Sequence, residues 1–190
     1  MKILCVGKNY AKHAAEMGDG APEEPIWFWK PESSIIQDGE SIRIPPGIGE
    51  VHHEVEWAVR IGGDCKPDAM TVALDMTARD VQAAAKQAGR PWAQAKGYDT
   101  FLPLGPWIPF DEGPHNLELR IDGDVRQRGC TKDMTWNLEA LLAHAATWTT
   151  LHEGDVLLTG TPEGVGPVEP GETLVASVGE LSATFRVATR

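Results

Sequence analysis

The sequence predicts a β-rich α+β fold in a single domain spanning residues 1–190. Many short apolar segments are separated by turns rich in Gly and Pro, while only two or three segments show helical spacing. Strands and helices do not alternate in the βαβ rhythm of a parallel α/β fold. With 190 residues, 42% of them hydrophobic, the chain can bury about 70% of its unfolded surface in one core.

The predicted strands are short runs that end at Gly, Pro or acidic turn residues. In chain order they are residues 2–6, 26–30, 41–44, 54–61, 71–74, 116–121, 125–128, 156–159, 174–178 and 183–187. Asp122-Gly123 is typical of a type I′ turn and predicts a hairpin between residues 116–121 and 125–128. The last two strands predict a second hairpin.

Three helices are predicted, at residues 9–17, 78–87 and 137–148. Asn9 is the expected N-cap of the first helix, and Gly18 ends it. Thr77 and Asp80 resemble a capping box, so Asp80 is expected to cap the second helix rather than to bind a metal. Residues 91–109 predict an irregular loop.

Composition and charge exclude several classes of protein. The net charge of −11 argues against binding to a nucleic-acid backbone, which requires clustered Lys and Arg. The sequence contains neither a signal-peptide apolar region nor about 18 consecutive apolar residues that could span a membrane. Cys5, Cys65 and Cys130 are odd in number and lack metal-binding spacing, which predicts reduced thiols in the cytoplasm.

Glu54 and Glu56 are the most informative pair in the chain. Residues 54–61 alternate, so both glutamates fall on one face of a strand and Trp57 falls on the other. Residues two apart on a strand are separated by roughly 6.5 Å, and two carboxylates at that spacing can bind one divalent cation. A solvated face of a half-buried strand is the alternative interpretation.

Other candidates depend on local pattern alone. His13 and Glu16 lie three residues apart on a helix, where a carboxylate can orient an imidazole that acts as a general base. A solvated helix face explains the same pair. Asp75 ends an apolar strand, where a turn or capping role is the alternative, and Lys96 by itself is a loop lysine.

Several motifs together resemble the fumarylacetoacetate hydrolase superfamily, most closely its short acylpyruvase and oxaloacetate decarboxylase branch. The resemblance extends from Cys5 to Arg186. The segments that carry it are residues 6–17, 28–34, 52–56, 74–82, 91–96 and 158–166.

The resemblance implies a mixed β-roll core of the fumarylacetoacetate hydrolase C-terminal type with peripheral helices, in a homodimer. It implies Mg²⁺ or Mn²⁺ bound by Glu54, Glu56 and Asp75. By the same resemblance His13 and Glu16 activate water, and Lys96 and Gln82 stabilise the developing oxyanion. The implied substrate-binding residues are Lys30, Ser33, Arg79 and Thr161.

The activity that the resemblance implies is hydrolytic C–C cleavage of an acylpyruvate or similar 2,4-diketo acid, such as fumarylpyruvate, with release of pyruvate. Oxaloacetate decarboxylation and isomerisation or hydration of 2-oxo dioic acids are the alternatives. A catalytically silent metal-stabilised protein is a fourth option, against which the His13–Glu16 pair argues. Specificity for the small 2-oxo acid is expected in a lid at residues 17–24 and a loop at residues 97–105.

One departure from the branch concerns the connection between Glu56 and Asp75. It is shorter than the resemblance leads us to expect. Either a loop and part of a strand are deleted, or this sequence omits a flexible segment. A deletion raises the question of how Asp75 reaches the metal.

Overall fold

The computed structural model describes residues 1–18, 20 and 22–190, which form mostly β-structure with a curled, half-barrel sheet. The strands are β1 Ile3–Gly7, β2 Ile26–Lys30, β3 Ile35–Gln37, β4 Ser41–Ile44, β5 Val51–His53, β6 Val55–Ile61, β7 Pro67–Leu74, β8 Thr77–Ala78, β9 Leu102–Leu104, β10 Ile108–Pro109, β11 Asn116–Ile121, β12 Asp124–Cys130, β13 Val156–Leu158, β14 Gly166–Pro167, β15 Thr173–Val178 and β16 Leu181–Thr189. The helices are α1 Ala11–Glu16, α2 Arg79–Gln87, α3 Ala93–Lys96 and α4 Leu138–Ala146. No helix in the described ranges is long and apolar enough to cross a membrane.

Three sheets organise these strands. The largest has eight strands in the order β2-β1-β13-β6-β7-β9-β3, with β10 paired to β7. A second sheet has the order β12-β11-β15-β16-β4, and a third has the order β14-β5-β8. This arrangement confirms the predicted α+β fold with peripheral helices.

The main core lies between the two larger sheets, where β6 and β7 contact β11 and β15. Val55, Trp57 and Val59 on one face of β6 belong to this core. Ala58, on the opposite face, belongs to a smaller cluster. The predicted alternation of β6 is therefore confirmed, but both faces of the strand are buried.

The hairpin formed by β6 and β7 answers the question of the short connection. Val55 pairs with Leu74 at the open end, and the turn is closed by the Gly62 amide, which donates to the Lys66 carbonyl at 2.7 Å. Strand β7 starts four residues earlier than predicted. At its end the Asp75 amide donates to the Glu54 carbonyl at 2.8 Å, so the register itself brings Asp75 beside Glu54.

The predicted type I′ hairpin is confirmed, because Asp122 and Gly123 have φ angles of 50° and 92°. Asn137 caps α4 by accepting from the Ala140 amide at 2.9 Å. The predicted irregular loop at residues 91–109 was wrong, since it contains α3, β9 and β10. Propensity could not reveal these short elements, which tertiary packing stabilises.

Two predicted caps were also wrong. The side-chain amide of Asn9 donates to the carbonyls of Trp136 and Thr159, so it links distant segments instead of capping a helix. Helix α1 begins only at Ala11. The Thr77 hydroxyl donates to the Asp75 carbonyl. Asp80 accepts from the Glu50 amide instead of forming a capping box.

Candidate active site

Three buried carboxylates form the centre of the candidate site. Glu54 immediately precedes β6, Glu56 lies on it, and Asp75 follows β7. One oxygen from each lies within 4.8 Å of the others. The three residues are 5%, 1% and 0% exposed, so the interpretation as a solvated strand face was wrong.

Three cationic side chains balance two of these carboxylates. Lys96 Nζ lies 2.8 Å from Glu54 Oε2 and 2.5 Å from Asp75 Oδ2. Lys30 Nζ lies 2.8 Å from Asp75 Oδ1, and Arg79 Nη2 lies 2.6 Å from Glu54 Oε1. The cluster therefore contains three carboxylates and three cations, and it is formally neutral.

Glu56 differs from the other two carboxylates. Among the residues described, it forms no ion pair within 4.0 Å, and its Oε2 accepts from the Gly160 amide at 2.7 Å. Burial and the charges of Asp75 and Glu54 raise the pKa of Glu56 well above its ordinary value. For Glu54, burial acts in the same direction, but the Lys96 and Arg79 charges outweigh it and hold the pKa of Glu54 well below its ordinary value.

Lys96 stays charged although it is buried. Burial by itself lowers the pKa of an ammonium, but the Asp75 and Glu54 carboxylates raise the pKa of Lys96 above its ordinary value. The ammonium thus supplies positive charge to two of the three carboxylates.

The donor set of this cluster fits a hard divalent cation. Three carboxylate oxygens are the ligands that Mg²⁺ and Mn²⁺ prefer, and Glu56 has no cationic partner within 4.0 Å in the described ranges. Glu54, Glu56 and Asp75 would hold such an ion. The choice between Mg²⁺ and Mn²⁺ does not follow from three oxygen ligands.

A narrow cavity opens onto the carboxylates. Its walls come from the end of β1, helices α1, α2 and α3, and the segment after β13. The lining residues are Val6, Gly7, Lys8, His13, Met17, Phe28, Glu54, Glu56, Asp75, Arg79, Gln82, Lys86, Trp92, Lys96 and Thr161. Ten of the eleven predicted site residues belong to this cavity or directly contact a residue that does.

His13 lies in this wall and is 6% exposed. Its Nδ1 lies 3.5 Å from Glu16 Oε2, longer than a good hydrogen bond, as is common for catalytic pairs without substrate. The Gly164 amide donates to both Glu16 oxygens at 3.1 Å. Burial lowers the pKa of His13 against the opposing effects of Glu54 and Glu16, which favours the neutral imidazole that a general base requires.

Arg79 and Gln82 occupy one face of α2. Arg79 Nη1 donates to Gln82 Oε1 at 2.7 Å, which leaves the amide nitrogen of Gln82 as its donor. Thr161 is buried and lines the cavity.

Lys30 and Ser33 are placed differently from the other predicted residues. Lys30 does not line the cavity, because its ammonium is enclosed by Asp75 and the carbonyls of Met76, Lys96 and Phe101. Its position supports Asp75 rather than contact with substrate. Ser33 is exposed on the 3₁₀ turn Glu32–Ser34 and lies outside the cavity, so the structure does not support its predicted role.

The two predicted specificity segments contribute little to this cavity. Met17 is the one residue of the predicted lid that lines it among those described, and positions 19 and 21 lie outside the described residues. No residue of 97–105 lines it, because this segment forms β9 and its flanks.

Some wall residues escaped the sequence analysis. Lys86 lies on α2 seven residues after Arg79, so helical spacing could have placed it on the same face. Lys8 has an unusual φ of 59°, which no sequence pattern predicts. Gln127 also went unnoticed, although it contacts Thr161.

This chain is similar to several known proteins. The family model "Fumarylacetoacetate (FAA) hydrolase C-terminal" matches residues 2–187. An Arabidopsis thaliana relative, "Oxaloacetate tautomerase FAHD1, mitochondrial", is 47% identical over 95% of this chain and 87% of its own length. A Dictyostelium discoideum relative, "Oxaloacetate decarboxylase, mitochondrial", is 42% identical over 97% of this chain and 92% of its own.

A solved structure shows the same fold. The fumarylpyruvate hydrolase from Pseudomonas aeruginosa, in complex with Mn²⁺ and pyruvate, superposes with a TM-score of 0.92 at 31% identity. The match covers 100% of this chain and 90% of that one.

Proposed function

The chain belongs to the fumarylacetoacetate hydrolase family, and we propose that it is a divalent-metal-dependent enzyme that interconverts the enol and keto forms of oxaloacetate. The Arabidopsis relative named as an oxaloacetate tautomerase supports this choice. This proposal replaces acylpyruvate hydrolysis, which the sequence led us to expect as the first candidate.

The charge balance of the buried cluster is the observation that carries the proposal. Three carboxylates and three cations already sum to zero in a site that excludes most water. A divalent cation adds two positive charges and thereby favours anionic ligands, because an uncompensated charge is costly to bury. A dicarboxylate such as oxaloacetate balances both charges, and a monocarboxylate such as pyruvate balances one.

The side chains provide the proton transfers that tautomerisation requires. A metal ion at the carboxylates would act as a Lewis acid for the substrate oxygens. Neutral His13 accepts a proton from carbon 3, and Glu16 holds the imidazole so that Nε2 can face the substrate. Lys96 and the Gln82 amide donate hydrogen bonds as negative charge develops on the carbonyl oxygen. The proton that His13 has accepted is returned to that oxygen to give the enol, so no net proton is gained or lost.

Two other reactions use the same arrangement. Decarboxylation forms the enolate of pyruvate by loss of CO₂, with negative charge on the same carbonyl oxygen, and the Dictyostelium relative supports it. Hydrolysis of an acylpyruvate additionally needs activated water, and the His13–Glu16 pair together with the Pseudomonas structure supports it.

One assay separates the three activities. The purified protein is supplied with Mg²⁺ or Mn²⁺, and the enol absorbance of oxaloacetate is followed while pyruvate is measured in the same sample. We expect enol decay without stoichiometric pyruvate, and loss of that rate in EDTA. Pyruvate formation at the rate of enol decay would favour decarboxylation. Pyruvate formation in a parallel sample that contains an acylpyruvate, without any activity on oxaloacetate, would favour hydrolysis.

When variants of the cavity residues are compared in this assay, Ser182→Ala is the control, because Ser182 is exposed on β16 outside the cavity. A cytoplasmic location remains a proposal, since the Arabidopsis and Dictyostelium relatives carry the word mitochondrial in their names.

A further inference from the structure

Gln127 on β12 connects two segments of the active site. It is 1% exposed, and its side chain reaches from the five-stranded sheet to the start of β6 and to the segment after β13. Oε1 accepts from the Val55 amide at 3.0 Å and from His53 Nδ1 at 2.9 Å. Nε2 donates to Thr161 Oγ1 at 2.8 Å and to the Pro162 carbonyl at 2.9 Å.

The orientation of this amide is fixed by its two main-chain partners. The Val55 amide can only donate and the Pro162 carbonyl can only accept, so the oxygen of Gln127 must face β6 and its nitrogen must face Pro162. A flipped amide would place its nitrogen against the Val55 N–H donor and its oxygen against the Pro162 carbonyl acceptor. All four hydrogen-bonding positions of this buried side chain are thus satisfied.

This orientation also decides the role of the Thr161 hydroxyl. A hydroxyl has one donor and two acceptor positions, and Gln127 occupies an acceptor position. Within the described part of the chain, Gln127 is the one hydrogen-bond partner of Thr161 Oγ1. Its proton is therefore available for an acceptor in the cavity that Thr161 lines.

Close packing holds this arrangement in place. A Cβ on Gly129 would lie 2.5 Å from the Pro162 Cβ, so β12 and the segment after β13 approach each other as glycine alone allows. The carbonyl of Arg126, the residue before Gln127, lies close to Gly164 in the same way. The contact between Gln127 and Thr161 is therefore part of a tightly packed interface.

We propose that Gln127 is a positioning residue that keeps the Thr161 hydroxyl as a hydrogen-bond donor to a carboxylate oxygen of the bound substrate. A carboxylate only accepts hydrogen bonds, so it requires a hydroxyl that presents its proton. This role rests on the proposed function in one respect, namely that the ligand is a 2-oxo carboxylate.

The test measures pyruvate binding to the Mn²⁺-loaded protein by calorimetry at pH 8. Glu in place of Gln127 has the same shape, but its carboxylate accepts the Thr161 proton and leaves the Pro162 carbonyl without a donor. We expect Gln127→Glu and Thr161→Val each to weaken pyruvate binding roughly tenfold or more, as the loss of one charge-assisted hydrogen bond does. Thr161→Ser should bind like the wild type, and the Mn²⁺ affinity should not change.

A double variant separates positioning from a structural role. If Gln127 acts through Thr161, Gln127→Glu should add no further loss in the Thr161→Val background. A second loss of similar size there, or a parallel loss of Mn²⁺ affinity, would overturn the proposal. Should Gln127→Glu fail to fold, Thr161→Val decides, because unchanged pyruvate binding in that variant overturns the proposal.

Pyruvate binding does not depend on turnover. A wild-type protein that leaves enol-oxaloacetate unchanged, but shows this binding pattern, refutes the tautomerase function and supports the role of Gln127. Failure of the Mn²⁺-loaded wild type to bind pyruvate overturns that role.

Discussion

At the residue scale, the three carboxylates differ in what balances their charge. Glu54 and Asp75 have ammonium or guanidinium partners, whereas the partner of Glu56 among the described residues is the Gly160 main-chain amide. Without a metal, the negative charge on Glu56 is therefore unfavourable, and this has a measurable consequence for stability.

We predict that the metal-free wild type loses stability relative to Glu56→Gln as the pH rises. The raised pKa of Glu56 means that the folded state keeps a proton that the unfolded state has already released, so stability is lost from the ordinary value of 4.5 upwards, through the raised value. Glu56→Gln should therefore have the higher Tm at pH 8 in EDTA. Thermal scans between pH 5 and 9 test this.

Metal should reverse the order of these two proteins. Saturating Mn²⁺ raises the Tm of the wild type by mass action, but should raise that of Glu56→Gln much less, since a charged ligand is lost. Glu180→Gln, which removes one exposed charge, should behave like the wild type throughout. Equal metal-induced shifts in Glu56→Gln and wild type would contradict Glu56 as a ligand.

His13→Ala should reduce the tautomerisation rate by about 10²–10⁴-fold, the usual contribution of a general base. Because burial lowers the pKa of His13, the wild-type rate should stay constant to a pH below the ordinary histidine value of 6.5. Steady-state kinetics between pH 5 and 8 measure both effects. His152→Ala, at an exposed histidine, is the control, and a fully active His13→Ala would remove His13 from the mechanism.

At the element scale, the site is assembled from strand ends and the Gly-rich segment after β13. That segment supplies the Gly160 amide to Glu56 and the Gly164 amide to Glu16. Gly164 has a φ of +91°, and a Cβ there would collide with the Arg126 carbonyl. The contact with β12 thus decides where Glu16 is held.

Gly164→Ala should destabilise the protein more than Gly171→Ala does. Both residues have positive φ angles, but a Cβ on Gly171 would meet no atom within 4 Å. The difference isolates the collision, for which we expect about 1–3 kcal/mol in urea unfolding. Gly164→Ala should also lower activity through Glu16. Equal losses of stability in the two variants would contradict the close packing.

At the scale of the whole molecule, exposed tryptophans mark one edge of the largest sheet. Trp29 on the edge strand β2 is 42% exposed and packs edge-on against Trp148, which is 43% exposed. Aromatic patches of this kind are enriched at protein interfaces. Trp27, Trp92 and Trp107 are instead partly buried against neighbouring side chains.

The homodimer remains a prediction, which we now place on this patch. Light scattering at micromolar concentration should give twice the chain mass of 20.6 kDa. Trp29→Glu should shift the protein towards monomer because it buries a charge in the interface, whereas Val125→Glu, at another exposed apolar residue, should not. A wild-type monomer, or a Trp29→Glu dimer, would contradict this placement.

The sequence by itself determined the features that depend on local periodicity. Alternation placed Glu54 and Glu56 on one face of a strand, the Asp122-Gly123 turn fixed a hairpin, and helical spacing brought His13 near Glu16. These features involve residues a few positions apart, so short-range geometry is sufficient to predict them.

Only the tertiary structure decided how the carboxylates are balanced. Lys96 meets Glu54 across 42 positions, Gly160 meets Glu56 across 104, and Gln127 meets Thr161 across 34. No local pattern encodes such contacts, because they follow from the order and register of strands in the sheets. For Ser33 the motif was present in the sequence, but the structure keeps this residue out of the site, because the turn that carries it faces solvent.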